Sequence, residues 1–452
     1  MGEGKITLAF DGGINQSADS QYLKLNEATE SQNCSLDKGN LSLCYGNSVH
    51  SLAGGCNATH SLLPIYDANG DAIVTIMSFP KADYVCYQSQ SDNVTIYANE
   101  TDNIWVSQYS AGLRLLKKDG LSSVAGGANV APKGSCIELY KERLWICGGE
   151  LKNEVWFSAP YDADDYTMPI IEGEANKHGG FIDIPSWDGG KIVGIKGLFD
   201  DIVVFKTNNI FRIYGSDPSN FTVAQIADNI QGEIGNRTIK SHSTSIIFTA
   251  ADGIYTFDGV TINLISQRVQ DVFKNLPKDA IKNAIAILYR NKYILAIAGV
   301  GSTTNNVIVE YDLINDNFMI KKGFTVVDFI ISDGKLLFLT ENENVFSYAD
   351  KSVTTFNSAS ISSYWKTGDF TFNELDKKKS IQALHFVAKG TGSIVISVIS
   401  EKKVKTKTVV LTSEFLPYKI KLKNKGKLIS FKFENVSGSD FTIKQPEVIY
   451  SI

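Results

Sequence analysis

With 452 residues, 43% of them hydrophobic and 21% charged, and a formal net charge of -5, the chain has material for about three domains and is too apolar to be disordered throughout. No apolar run reaches the ~18 to 20 residues that a helix needs to cross a bilayer. The first ten residues show no signal-peptide core before Asp11, and Ile6 stands where a myristoylation signal after Gly2 would carry Ser or Thr, so a soluble, non-secreted protein is expected.

Residues 1–49 read as an amino-terminal arm. All six Cys, at positions 34, 44, 56, 86, 136 and 147, fall in the first third with no Cys-x-x-Cys, and there are only five His. Zinc needs closely spaced ligand pairs, so no metal is expected and the thiols are read as buried and reduced. Beyond the arm, turn dipeptides punctuate short runs of β-branched and aromatic residues: Asn69-Gly70, Asp119-Gly120, Asp188-Gly189, Asp252-Gly253, Asp258-Gly259 and Asp333-Gly334. Strands are expected at 72–76, 94–97 and 104–106. Paired strands follow at 144–147 with 155–157, 202–205 with 210–214, 246–248 with 254–257, 293–296 with 307–311, and 336–339 with 345–348. One helix is expected over 266–284, where Val269, Val272, Phe273 and Leu276 share a face until Pro277.

The first strands of these pairs recur roughly every 45 to 50 residues, close to the period of a four-stranded propeller blade. An all-β chain follows, with a six- or seven-bladed β-propeller over 50–357. A large irregular sandwich is the competing reading, but radial repetition explains how so many hairpins avoid open edges. Past residue 358 the repeat stops. Strands at 381–387, 394–399, 407–411, 418–423, 428–433 and 441–443 have the spacing of a small carboxy-terminal β-sandwich over 358–452.

Charge divides at the same place. Residues 359–452 hold 16 Lys, no Arg and 8 acids, a balance of +8, which leaves -13 on the first 358. Lys403, Lys405 and Lys407, and then Lys419, Lys421, Lys423 and Lys425, alternate with other residues. Side chains two apart share a face of a strand, so one sheet is expected to show water a cationic face with its apolar side turned inward. Such a face docks onto an acidic protein surface or DNA, or else only keeps strand edges soluble. The lack of Arg and of nearby aromatics argues against base-specific reading.

Other constellations are weaker. Residues 67–71, Asp-Ala-Asn-Gly-Asp, resemble half a calcium loop without its closing Glu, and read as a hairpin turn. Asp162, Asp164 and Asp165 read as a solvated acidic loop. No nucleophile elbow, phosphate loop or zinc-protease motif is present, so neither an enzyme nor a cofactor is expected. Trp105, Trp145, Trp156 and Trp187 could line a sugar site, although Trp145 and Trp156 fall in core strands.

Several ordered stretches resemble bacteriophage and prophage virion propeller proteins of the neck or tail. They are residues 25–28 with 33–41, residues 197–215 with Phe221 and 248–259, and residues 365–370 with 379–386. The resemblance implies a non-enzymatic structural protein of the virion, made in the host cytoplasm, of the nozzle, DNA-stabilisation or head–tail connector type. Its copies would form a homo-oligomeric ring contacting portal, connector or tail proteins. Packaged DNA would pass through without sequence-specific binding, an acidic lumen favouring its sliding. A carbohydrate-binding or glycan-degrading propeller of a host-adhesion device is the alternative.

Overall fold

The computed structural model describes residues 3–50, 61–66, 72–77, 82–89, 92–99, 101–108, 110–119, 130–168, 173–185, 190–227, 230, 232–342 and 344–452. Among them the regular structure is almost entirely β-strand, joined by turns and short 3₁₀ segments. The one α-helix is a single turn, Ala280–Asn283. Hairpin candidates at residues 67–71 and 188–189, together with Cys56 and Trp187, lie outside the described residues.

Five sheets are four-stranded antiparallel meanders in which each strand pairs with the next. The first sheet runs from Asp83–Ser89 to Gly112–Leu115, and the second from Cys136–Tyr140 to Gly180–Asp183. Ile192–Leu198 opens the third, Lys240–His242 the fourth and Ile285–Tyr289 the fifth. The strand pairs read from the sequence are the middle two strands of the second to sixth sheets. Their burial explains their legibility: Ile202, Val203, Val204 and Phe205 are all in the core, as are Ile246, Ile247 and Phe248.

The sixth sheet is completed from the far end of the chain. Asp328–Ser332, Lys335–Leu339 and Val345–Asp350 are consecutive, but the next strand outward is Gly46–His50, antiparallel to Val345–Asp350. The Ser48 hydroxyl donates to the Asp350 carboxylate at 2.5 Å, and Asn47 Oδ1 accepts from the Ala349 amide at 3.2 Å. A hairpin of Ser61–Tyr66 with Ala72–Met77 lies between the sixth and first sheets.

Each consecutive pair of sheets shares a core. Phe205 of the third sheet meets Phe248 of the fourth with ring centroids 5.3 Å apart, and Val204 packs with Trp145 of the second. Through the hairpin, Leu62 packs on the sixth sheet and Leu63 on the first, so the sequence of contacts closes on itself. Face-to-face packing of successive small sheets in a closed order is β-propeller character.

The remaining strands form two larger sheets around a separate core. The eight-stranded sheet is built on Lys379–Thr391, with Glu447–Ser451 and Asp440–Ile443 on one side and Leu416–Ile420 and Asn424–Gly426 on the other. The six-stranded sheet contains Tyr364–Thr367, Ile429–Asn435, Ser393–Ser400 and Val404–Val410. Both include amino-terminal strands: Glu3–Thr7 pairs with Glu447–Ser451, Leu41–Leu43 with Asp440–Ile443, and Glu27–Gln32 with Tyr364–Thr367. Phe10 is fully buried, its ring edge-on to Trp365 and Phe433, each 5.7 Å away.

Three sequence expectations need correction. The helix over 266–284 is instead a 3₁₀ segment, Ser266–Val272, kinked at Val269, followed by the single α-turn. Pro277 removes one amide and Val269 leaves helical backbone (φ -126°), so no ladder of i→i+4 bonds propagates. Four described thiols are buried, but Cys86 is exposed. Its strand, Asp83–Ser89, alternates faces, and Cys86 lies on the wetter one. Asp164 is not simply solvated: it accepts two bonds from Arg114, at 2.9 and 2.7 Å, and one from the Lys117 amide.

Candidate functional site

The first strands of all six sheets converge on one cavity of about 420 Å³. Five of these six strands carry a charged residue where the middle strands carry core. Asp83 stands on the first sheet, Glu138 on the second, Lys196 on the third, Lys240 on the fourth and Asp328 on the sixth, while Arg237 comes from the turn Asn236–Thr238. The fifth sheet contributes Ile285 and Ile287. A second cavity, about 360 Å³, shares Ser135 and Asn236 with the first and adds Lys191, Lys282, Glu150 and Glu233.

The three acids fasten one sheet to the next. Asp83 accepts the amide of Ile137 in the second sheet at 3.1 Å, and that of Tyr84 at 3.1 Å. Glu138 accepts the amide of Gly197 in the third sheet at 3.3 Å and the Lys196 ammonium at 2.5 Å. Asp328 accepts the amide of Leu62 in the hairpin at 2.9 Å, that of Phe329 at 2.8 Å, and the Arg237 guanidinium at 2.6 Å. A strand at the centre of a meander ring leaves amides unpaired, and a carboxylate from the preceding sheet satisfies one at each of these joints.

The cations differ in how they are matched. Burial opposes the charge on Lys196, but Glu138 and Asp83 outweigh it and hold the ammonium above its usual range. Burial pushes the Asp328 carboxyl up, against the pull of Arg237. The Lys240 ammonium makes no hydrogen bond or ion pair to a described residue. Burial, and then repulsion by Lys196, bring its ammonium down to about 8.

A different ionic group welds the fifth sheet to the sixth. Glu310 receives Lys321 at 2.6 Å, Lys292 at 2.9 Å and the Tyr348 hydroxyl at 2.6 Å. Burial alone would raise the Glu310 pKa, but the two lysines reverse it and the carboxyl lies well below the usual range. Nearby, burial pushes the Cys34 and Cys44 thiols up to about 12, which leaves both unreactive as nucleophiles. Among the described residues no cluster of His, Cys, Asp and Glu is arranged to hold a metal ion.

All seven lysines singled out from the sequence are exposed. Lys419, Lys421, Lys423 and Lys425 alternate with buried Ile420, Leu422 and Asn424, as expected. Lys403, Lys405 and Lys407 do not follow the expected pattern. Val404 is 58% exposed and Val410 71%, so the strand Val404–Val410 wets both faces and has only Val409 in the core. Nor do the two rows share a sheet: Lys405 and Lys407 lie on the edge strand Val404–Val410 of the six-stranded sheet, and Lys419 and Lys425 on the edge strands Leu416–Ile420 and Asn424–Gly426 of the eight-stranded one, with Lys421 and Lys423 in the link between those two. Asn424 brings the edges together, its side-chain amide donating to Val398 O at 2.8 Å and Lys403 O at 3.0 Å. The result is one cationic margin made from two sheets.

The described tryptophans form no exposed platform. Trp145 and Trp365 are buried, and half-buried Trp156 stacks on Phe181 with centroids 5.0 Å apart. The cavity charges do not stand out in the sequence because apolar runs mark the middle strands and not these. The signal that would have found them is a single charged residue in the strand just before the apolar one in five of the six sheets, as in Ile137-Glu138-Leu139, Ile195-Lys196-Gly197 and Val327-Asp328-Phe329.

These features define the class: an all-β protein of β-propeller character, with a charged cavity at the convergence of its sheets. Comparison with protein-family models gave no match, and neither did comparison with curated protein sequences. Among solved structures, the chain is similar to the computationally designed Ika8 protein (10% identity, 77% of this chain and 100% of that one, TM-score 0.37). It is also similar to BamB from Moraxella catarrhalis (10% identity, 77% and 97%, TM-score 0.36) and to the Pan2 WD40 domain of Neurospora crassa (9% identity, 70% and 88%, TM-score 0.36). Likeness at this level carries no functional information.

Proposed function

We propose that the chain is a non-enzymatic structural protein of a phage or phage-like particle. In this reading six four-stranded blades and the reduced hairpin Ser61–Tyr66/Ala72–Met77 make up the propeller, and the two larger sheets are a β-sandwich that docks on a neighbour. The observation that carries it is the cationic margin on an otherwise acidic chain. Edge strands bearing unpaired lysines resist strand addition yet attract an acidic surface, which favours specific docking over aggregation. The resemblance of residues 197–215, 248–259 and 365–386 to virion propellers supplies the setting, a neck or tail ring of several copies. The cavity of about 420 Å³ is far too small to admit a DNA duplex, so any DNA passage would run between copies, not through one chain.

Electron microscopy and native mass spectrometry of the purified protein test this reading. Closed rings that dissociate when Lys419, Lys421, Lys423 and Lys425 are changed to Glu are expected. A monomer at micromolar concentration and low salt, with no binding to particle or portal fractions, overturns it.

A further inference from the structure

Donors and acceptors in the central cavity do not balance. Each of its three carboxylates already accepts at least two bonds: Asp83 from two amides, Glu138 from Lys196 and an amide, and Asp328 from Arg237 and two amides. Lys240 has three N–H donors and no partner among the described residues. Asn236 spends its carbonyl oxygen on the Arg237 amide at 2.7 Å, and its NH₂ group has no partner among them either. Both residues line the cavity. Lys240 and Asn236 are half-buried, so a cation and an amide donor without protein acceptors face the cavity and are free to pair with an anion that enters it.

We propose that this cavity is a binding site for a small organic anion, with Lys240 and Asn236 holding its carboxylate or phosphate and Ile195, Ile287 and Phe329 contacting an apolar body. The site is independent of any role in a particle. The volume suits a ligand of metabolite size. Charge comes from every side but one: Asp83 from the first sheet, Glu138 from the second, Lys196 from the third, Lys240 from the fourth, Arg237 from the turn, and Asp328 from the sixth. The fifth sheet presents only apolar side chains. Lys196 and Arg237 are each neutralised by a partner, so the anion's charge would be met chiefly by Lys240. Because that ammonium loses its proton near pH 8, binding weakens as pH rises through that value.

Calorimetric titration of the full chain with octanoate, acetate and inorganic phosphate at pH 7 and pH 9.5 tests the site. Saturable octanoate binding at pH 7, weakened about tenfold or more at pH 9.5 and by a similar factor in Lys240→Met, is expected; Lys240→Arg retains it. No saturable binding by the native chain, or binding indifferent to Lys240→Met, overturns the proposal. Phosphate binding more tightly than octanoate overturns its organic part. Reductive methylation with ¹³C-formaldehyde gives a check that needs no variant: one dimethyl-lysine signal should titrate near pH 8 and move upward with octanoate. A Lys240 signal that titrates near the ordinary lysine value and ignores octanoate also overturns it.

Discussion

Single residues in this protein act mainly as electrostatic fasteners. Glu310 is the strongest case, because its two lysines and a tyrosine come from strands of both the fifth and sixth sheets. Changing one member of a buried ionic group strands the others, so Glu310→Gln should cost about 3–5 kcal/mol, read by urea unfolding. The folded carboxyl has a lowered pKa, so its contribution is complete above the unfolded value of ~4.3 and disappears as pH falls through the folded value. The variant should therefore lose less stability than the native chain on acidification below pH 4. Lys240 has the opposite sign. With its pKa lowered to about 8 in the folded chain, the unfolded chain binds the extra proton between pH 8 and ~10.4, and stability from this group rises across that window. In the absence of anion, Lys240→Met should stabilise the protein at pH 7 by roughly 1–2 kcal/mol, discounted for water in the cavity, and the gain should fade by pH 10 in thermal melts.

At the scale of elements, two kinds of strand make up the molecule, and only one kind was legible in the sequence. The middle strands of the meanders are apolar on both faces because each sheet is packed on both sides, so Ile202 to Phe205 or Leu336 to Leu339 stand out. The inner strands interrupt their apolar residues with charge, as Glu138 does in Cys136–Tyr140 and Lys196 in Ile192–Leu198, and Lys240–His242 has only three residues. Their turns hide as well. Asp333-Gly334 announces itself, but Lys141-Glu142 and Arg290-Asn291 take the same left-handed backbone, with φ from 48° to 64°, without glycine. The amino-terminal strands read as an arm because nothing local marks partners some 330 to 450 residues away. Phe10→Ala tests their structural weight. Removing a ring packed against Trp365 and Phe433 should cost about 3–5 kcal/mol and loosen the terminal sheets first, seen as faster hydrogen exchange over 429–435 than over the middle sheets.

For the whole molecule, the division of charge between -13 and +8 was visible in the sequence, but its geometry was not. Alternation alone placed both lysine rows on one sheet. Pairing instead distributes them over two edges, since Val404–Val410 follows the six-stranded sheet and residues 416–426 the eight-stranded one. A margin of this kind acts through long-range attraction, which salt screens over about 8 Å at physiological ionic strength. Self-association measured by sedimentation should therefore weaken at least several-fold between 50 and 500 mM NaCl, and the Lys-to-Glu variant of residues 419, 421, 423 and 425 should show little association at either salt level.

The closing strand Gly46–His50 and the edge strand Glu3–Thr7 both wait for partners made much later: Val345–Asp350 and Glu447–Ser451. At ~5–20 residues per second on the ribosome, the interval for the last of these pairings is on the order of half a minute or more. During that time Phe10, Leu41 and Leu43, all destined for the core, have nothing of their own to cover them. Biogenesis of this protein should thus depend on whatever shelters its first fifty residues while translation finishes.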